Sequence, residues 1–126
     1  MKIQIQEQRL RFRLDEDELA RLLETGRVVS DSRLGPEVGL RQEIEVVDDA
    51  IAPELAFLPG LWRLRLARAD LLAYRARLPC REGLDYALPS GEPERPLRLS
   101  VEVDVRDSVR LRGPKRRGDA LSGQDA

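Results

Sequence analysis

The chain has 126 residues, of which 41% are hydrophobic and 36% charged, and its 22 basic side chains nearly balance its 23 acidic ones. This size and balance are typical of one small globular domain. The sequence contains no histidine and one cysteine, Cys80, which excludes a Ser/His/Asp triad, a Cys/His dyad, an intrachain disulfide and a zinc site built from His and Cys. We therefore expect no catalytic residue and no cofactor. With no signal peptide and no apolar run near the roughly 20 residues of a membrane helix, we expect a cytoplasmic protein without membrane association.

The start of the chain has the pattern of two short strands followed by a helix. Alternating apolar residues predict strands over 3–5 and 10–14, with a bulge or tight turn between them. Asp15 and Glu18 have the spacing of a capping box and predict the beginning of an amphipathic helix. Gly26 supplies the signal that ends this helix.

The middle of the chain predicts two hairpins and a second helix. Alternation around the Gly-Pro and Pro-Gly turn dipeptides predicts paired strands over 27–46 and 55–66. We expect Trp62 to anchor the core. The second helix is predicted to be capped by Asp70 and to end at Pro79.

Two strands and a basic tail complete the predicted order. Alternation predicts strands over 84–88 and 97–105, and the second is the cleanest in the chain, which favours a central position in the sheet. The expected fold is an α+β domain over 1–105, with a largely antiparallel and possibly barrel-like sheet and two short helices. Residues 106–126 have the composition of a disordered tail. No internal repeat is recognisable.

Two regions at the ends of this domain carry distinctive motifs. The first contains Lys2-Ile3-Gln4-Ile5, Leu10-Arg11-Phe12-Arg13-Leu14 and Glu24-Thr25-Gly26-Arg27-Val28, and the second is Leu97-Arg98-Leu99-Ser100-Val101-Glu102-Val103-Asp104. The chain resembles a small bacterial family, a domain of unknown function, with the pattern strand, R-L-R-L, helix, E-T-G-R-V and a late V-E-K-D-F. The resemblance implies a compact domain of about this length and supplies no catalytic residues. Val103, Val105 and Asp107 stand where that family has Lys, Phe and Cys.

Charged residues alternate with apolar ones along several predicted strands. The arginines in this pattern are Arg9, Arg11, Arg13, Arg63 and Arg65, and the acids are Glu43, Glu45, Glu102 and Asp104. The two-residue period of a strand places each set on one face. If basic strands neighbour acidic ones, these side chains form exposed ion pairs without chemistry, which is the usual state of surface charge. If the arginine strands line a groove instead, the five arginines form a binding site for an anionic ligand.

A second arrangement of the same residues predicts an enzyme. Glu43 and Glu45 would hold a metal ion beside arginines of both basic strands, namely Arg11, Arg13, Arg63 and Arg65. This resembles the triphosphate tunnel enzymes, whose barrels surround a metal-bound polyphosphate with rows of Glu and Arg. Their opening strand carries Glu, Glu and Lys at alternating positions, whereas here the two glutamates come late and the Lys is missing.

The tail offers a third candidate site. The tail begins with the basic residue Arg106, and the positive charges that follow could contact the phosphates of a nucleic acid. The candidate residues are Arg110, Arg112, Lys115, Arg116 and Arg117. Two observations disfavour nucleic acid. The tail contains no aromatic residue on which a base could stack. The domain that precedes it has 16 basic and 20 acidic residues.

The sequence therefore favours a non-enzymatic cytoplasmic domain that acts by binding. Its partner is expected to be a protein, recognised through a sheet edge, or an anionic small molecule on an arginine-bearing face. The alternatives are a metal-assisted enzyme that handles phosphate or triphosphate and, less favoured, a protein that binds nucleic acid through its tail. Nothing in the sequence indicates the oligomeric state.

Overall fold

The structure is a computed structural model that describes residues 1–104. Its eight strands are β1 (Lys2–Gln6), β2 (Arg9–Leu14), β3 (Arg27–Gly35), β4 (Val38–Val47), β5 (Glu54–Leu58), β6 (Leu61–Ala67), β7 (Leu84–Leu88) and β8 (Leu97–Val103), and its two helices are α1 (Glu16–Thr25) and α2 (Arg68–Arg77). The strands form two four-stranded sheets. We call the sheet with the order β1-β2-β8-β7 sheet I and the sheet with the order β3-β4-β6-β5 sheet II.

The predicted α+β class and the antiparallel character of the strands are confirmed. Each hairpin pairs its two strands antiparallel, and the predicted central strand, β8, lies between β2 and β7. The described strands form two open sheets and do not close into a barrel. In the middle of each sheet two hairpins meet through a parallel pair, β2 with β8 and β4 with β6. The chain between these parallel partners is long enough for such a connection, which the short turns of the hairpins are not.

The turn and cap signals of the sequence account for the first elements. Glu7 adopts a left-handed backbone conformation, with φ 52°, in the two-residue turn between β1 and β2. At the start of α1 the Glu18 N–H donates to Asp15 Oδ1 over 2.7 Å, and the Asp15 N–H donates to Glu18 Oε1 over 3.0 Å. This is the predicted capping box. Gly26 ends the helix with φ 87°, a conformation that glycine adopts without steric cost.

The structure has an internal repeat that the sequence analysis missed. Each half consists of two strands, a helix and two strands. The elements β5, β6 and α2 begin at residues 54, 61 and 68, each 52 positions after β1, β2 and α1 at residues 2, 9 and 16. Each sheet combines the first hairpin of one half with the second hairpin of the other half, so the two sheets have equivalent topologies.

Both sheets and both helices contribute to one hydrophobic core. The fully buried side chains include Phe12 and Val101 from sheet I, Ile44 and Leu64 from sheet II, and Tyr74 from α2. The Tyr74 hydroxyl accepts a 2.8 Å hydrogen bond from the Val103 N–H, so this polar atom is satisfied inside the core. Because the apolar residues of each central strand face this core, the charged residues that alternate with them lie on the outer face of each sheet.

Two predictions about the second half are wrong. Trp62 does not anchor the core, because it is only half-buried and packs edge-to-face against the exposed ring of Phe57, with 5.2 Å between the ring centroids. Asp70 does not cap α2, because the helix already begins at Arg68 after Ala67, which makes no side-chain cap. Asp70 instead lies in the first turn, where its carboxylate accepts a 2.9 Å hydrogen bond from the Tyr86 hydroxyl.

The predicted end of the last strand and the predicted tail reach beyond the structure. The strand β8 is described to Val103, two residues short of the predicted boundary. The tail over 106–126, with its five candidate nucleic-acid residues, lies outside the described residues. The predictions made for it stay predictions.

Candidate functional site

The structure separates the two arginine strands. Arg9, Arg11 and Arg13 lie on β2 in sheet I, whereas Arg63 and Arg65 lie on β6 in sheet II. All five belong to the outer faces of their sheets. The outer faces of sheet I and sheet II are therefore two separate candidate binding surfaces.

On the outer face of sheet II, each carboxylate contacts an arginine. Glu43 lies between two of them, with its Oε2 2.8 Å from Arg27 Nε and its Oε1 3.5 Å from Arg63 Nε. Arg65 lies 3.3 Å from Glu45 and 3.2 Å from Glu54. The remaining pair joins Arg41 to Asp31 over 3.0 Å. This face has the balanced cross-strand ion pairs of a surface without chemistry.

These contacts give Glu43 and Glu45 a role other than metal binding. The Glu43 side chain is only 6% exposed because the two arginines cover it. A buried carboxylate needs compensating charge, and the guanidinium groups supply it here. Within the part of the chain that the structure describes, no group of three or more Cys, Asp or Glu side chains is placed to hold a metal ion.

On the outer face of sheet I, the charges do not balance. Arg11 and Arg13 share one acid, Glu102, at 3.4 and 3.6 Å. Among residues 1–104, the guanidinium groups of Arg9 and Arg98 have no acidic partner, although the two residues are direct neighbours in the β2/β8 register. Both side chains are exposed. Like charges directly opposite one another on neighbouring strands are destabilising.

The second acid of this face is already engaged. Asp85 on β7 accepts a 2.7 Å hydrogen bond from the hydroxyl of Ser100. At the end of the sheet where Arg98 lies, Glu92 pairs with Arg95 over 3.1 Å, and Arg95 also donates to Gln8 over 2.9 Å. Among the described residues, neither Asp85 nor Glu92 forms an ion pair with Arg9 or Arg98.

The internal repeat provides a direct comparison between the two outer faces. In sheet II, Glu54 lies opposite Arg65, but the equivalent position opposite Arg13 in sheet I is Lys2. Two further acids are replaced in the same way. Ser100 takes the position of Glu43, and Ala87 that of Asp31. Sheet I therefore lacks three carboxylates that its counterpart uses to neutralise arginines, and it has one, Asp85, where sheet II has Val29.

We call the outer face of sheet I the basic face. Its members are Lys2, Gln4, Gln6, Arg9, Arg11 and Arg13 on β1 and β2, with Asp85, Ala87, Arg98, Ser100 and Glu102 on β7 and β8. Asp104 follows β8 with the same alternation as Glu102 and lines a pocket together with Lys2 and Arg13. Five cationic side chains thus stand against three carboxylates. A shallow depression of about 420 Å³ at one end of this face is lined by Gln4, Ile5, Gln6, Arg9 and Arg11. Arginine guanidinium and glutamine amide groups together can bind the oxygens of an anion.

Sequence reasoning found only part of this surface. It identified Arg9, Arg11 and Arg13, but it missed Lys2, Arg98 and the two glutamines because their strands had no known neighbours. The signal that was present is the 52-residue offset, at which Arg11 and Arg13 match Arg63 and Arg65. Aligning the two halves at this offset places Lys2 at the position of Glu54. The second hairpins, in which Ser100 matches Glu43, are 57 residues apart, so their differences become visible only from the strand register.

The two tyrosines do not provide acid or base groups for catalysis. Burial raises the pKa of Tyr86, and its hydrogen bond to the Asp70 carboxylate raises that pKa further. Burial also raises the pKa of Tyr74, against the lowering effect of the hydrogen bond from the Val103 N–H. Both phenols therefore stay protonated at neutral pH and serve as structural hydrogen-bonding groups.

In the described part of the chain, no helix is long and apolar enough to cross a membrane.

Comparison with protein-family models, with curated proteins and with solved structures finds no match to this chain. The geometry and the charge of the basic face are therefore the features from which a function can be inferred.

Proposed function

We propose that this protein is a non-enzymatic cytoplasmic domain that binds an anionic ligand on the basic face. The observation that carries the proposal is that Arg9 and Arg98 are neighbours without an acidic partner among residues 1–104, on a face that holds five cations and three carboxylates. An anion with several charged oxygens relieves the repulsion between these two guanidinium groups. It can also accept hydrogen bonds from their planar N–H groups.

The contacts favour this proposal over the metal-assisted enzyme. That alternative needs arginines of both basic strands around Glu43 and Glu45. Arg63 and Arg65 instead pair with those two acids on sheet II, while the arginines of β2 belong to the other sheet. An enzyme of this kind would have to break these ion pairs before it could bind metal and substrate.

The test is a calorimetric titration of the full chain with tripolyphosphate at low salt. The unmodified protein is expected to bind. The double variant R9Q/R98Q keeps side chains of similar length and polarity but removes the unpaired charges. Because a hydrogen bond to a charged group contributes about 1.5–3 kcal/mol, this variant is expected to bind at least tenfold more weakly.

The matched control is R33Q/R75Q, which removes the same total charge from two exposed arginines on sheet II and α2. This control should bind like the unmodified protein, and thermal unfolding of each variant without ligand verifies that it is folded. Equal loss of affinity in both double variants would show that only net charge matters and would overturn the proposal. So would an unmodified protein that binds neither tripolyphosphate nor any other polyanion.

A further inference from the structure

The shape and composition of the basic face limit which anion fits it. Cations on neighbouring strands are separated by about 4.8 Å, and those two residues apart on one strand by about 7 Å. Arg9, Arg98 and Arg11 occupy such positions. The face is a sheet surface with only a shallow depression at one end, so it does not enclose a small molecule. An extended ligand with regularly spaced negative charges matches this arrangement better than a small anion.

The uncharged side chains between the cations are polar or small. The uncharged members of the face are Gln4, Gln6, Ala87 and Ser100. A surface that docks on lipid normally inserts several aromatic or bulky apolar groups, whereas the depression of the basic face has Ile5 alone. The amides of Gln4 and Gln6 can both donate and accept hydrogen bonds, which suits sugar hydroxyls and base edges.

The basic face has no aromatic side chain, and this distinguishes between single-stranded and duplex nucleic acid as a ligand. Proteins that bind single strands stack the exposed bases on aromatic residues. The aromatic residues of sheet I are Phe12, which is buried, and Tyr86, whose hydroxyl is held by Asp70. A duplex keeps its bases stacked internally and needs only contacts to its backbone.

We infer that the ligand of the basic face is the phosphate backbone of a nucleic-acid duplex, bound without sequence preference. This inference rests on the proposed function and narrows it to one ligand class. The net negative charge of the domain does not prevent this binding. Residues 1–104 carry 16 basic and 20 acidic side chains, but five of the bases and only three of the acids lie on this face. The rest of the surface is strongly acidic and orients the duplex toward the basic face.

The experiment measures binding of a labelled DNA duplex about two helical turns long by fluorescence anisotropy, at several salt concentrations. Each phosphate contact adds about 0.9 to the slope of log K against log salt. R9Q/R98Q is therefore expected to lower the slope by about 1.8 and the affinity at low salt by at least tenfold. R33Q/R75Q should leave both unchanged, and a second duplex of unrelated sequence should bind equally well.

A variant with a neutralised tail separates the face from the tail in the full chain. It carries R110Q, R112Q, K115Q, R116Q and R117Q. If the face contacts the duplex, R9Q/R98Q lowers the slope by the same amount in this background. If the tail variant loses all binding while R9Q/R98Q behaves like the unmodified protein, the inference is overturned.

Three further probes identify where a failure lies. Binding of tripolyphosphate but not of the duplex, with loss in R9Q/R98Q, would overturn this inference and leave the proposed function intact. Binding of vesicles rich in anionic lipid but not of the duplex would overturn it in favour of a membrane surface. A single strand that binds much more tightly than the duplex would overturn the choice of duplex. Failure of every polyanion would remove the proposed function as well.

Discussion

At the scale of single residues, burial decides which charges and hydroxyls are available to a ligand. Glu43 is covered by two arginines and cannot act as a free carboxylate. The hydroxyls of Tyr74 and Tyr86 are used within the fold. Within residues 1–104, the side chains of Arg9 and Arg98 have neither an acidic partner nor a hydrogen-bond partner. They are the groups that a binding experiment should address first.

The raised pKa of Tyr86 makes stability depend on pH in the alkaline range. A tyrosine whose pKa is higher in the folded than in the unfolded chain stabilises the fold fully below the unfolded value of about 10, and this contribution is lost as pH rises above it. The free energy of unfolding, measured with urea, should therefore fall above about pH 10.

The variant Tyr86→Phe tests this cause. It should cost about 1 kcal/mol at neutral pH, because the hydrogen bond to Asp70 is lost. Its alkaline decline should be shallower than that of the unmodified protein, with the remainder due to Tyr74, the other tyrosine of the chain. An alkaline decline of unchanged steepness would contradict the raised pKa of Tyr86.

At the scale of secondary structure elements, the sequence predicted well wherever the determining contacts are local. Turn dipeptides, alternation and the capping box act over a few residues, so the bounds of both helices and of the hairpins were predictable within a few positions. The start of α2 differs from its local prediction. The sequence offers Asp70 as a cap, but the helix begins two residues earlier, where β6 ends at Ala67, and Asp70 bonds to Tyr86 on β7. A tertiary contact outweighed the local signal.

The cap of α1 can be tested by substitution. Asp15→Ala removes the carboxylate that accepts from the Glu18 N–H and should lower the free energy of unfolding by about 1 kcal/mol. The matched control is Asp17→Ala, which removes an exposed acid from the same first turn without breaking the capping box. Its cost should be about 0.5 kcal/mol, from the helix dipole alone. Equal costs in urea unfolding would show that the capping box contributes nothing beyond its charge.

At the scale of the whole molecule, the exchange of hairpins between the halves makes the fold a single unit. Each sheet contains one hairpin from each half, joined by a parallel pair of central strands. Neither half can keep its sheets without the other, and both helices pack into the same core. The repeat is therefore one of architecture and not of independently stable parts.

This arrangement predicts one cooperative unfolding transition. Leu22→Ala creates a cavity next to α1 in the first half and should cost about 2–5 kcal/mol. Fluorescence of Trp62, in the second half, and far-UV circular dichroism should report the same shifted urea midpoint. Two separate transitions, or a Trp62 signal that the substitution does not shift, would contradict a shared core.

The candidate site was predictable only in part, because some of its residues are set by local alternation and others by pairing between strands that are distant in the chain. The alternation along β2 shows by itself that Arg9, Arg11 and Arg13 share one face. Whether that face is neutral depends on its neighbours. Arg9 lies beside Arg98, 89 residues later in the chain, because β2 and β8 pair in parallel. No local pattern specifies that pairing.

The sequence by itself determined the elements, their order, the α+β class and the absence of histidine chemistry, because these follow from composition and from interactions between residues close in the chain. Only the tertiary structure decided which strands are neighbours. That choice placed acids beside Arg63 and Arg65, and it left Arg9 and Arg98 together without an acidic partner among residues 1–104. The energy of a charge depends on what surrounds it in space, so the distinction between a neutral face and a binding face arises only when the sheets form.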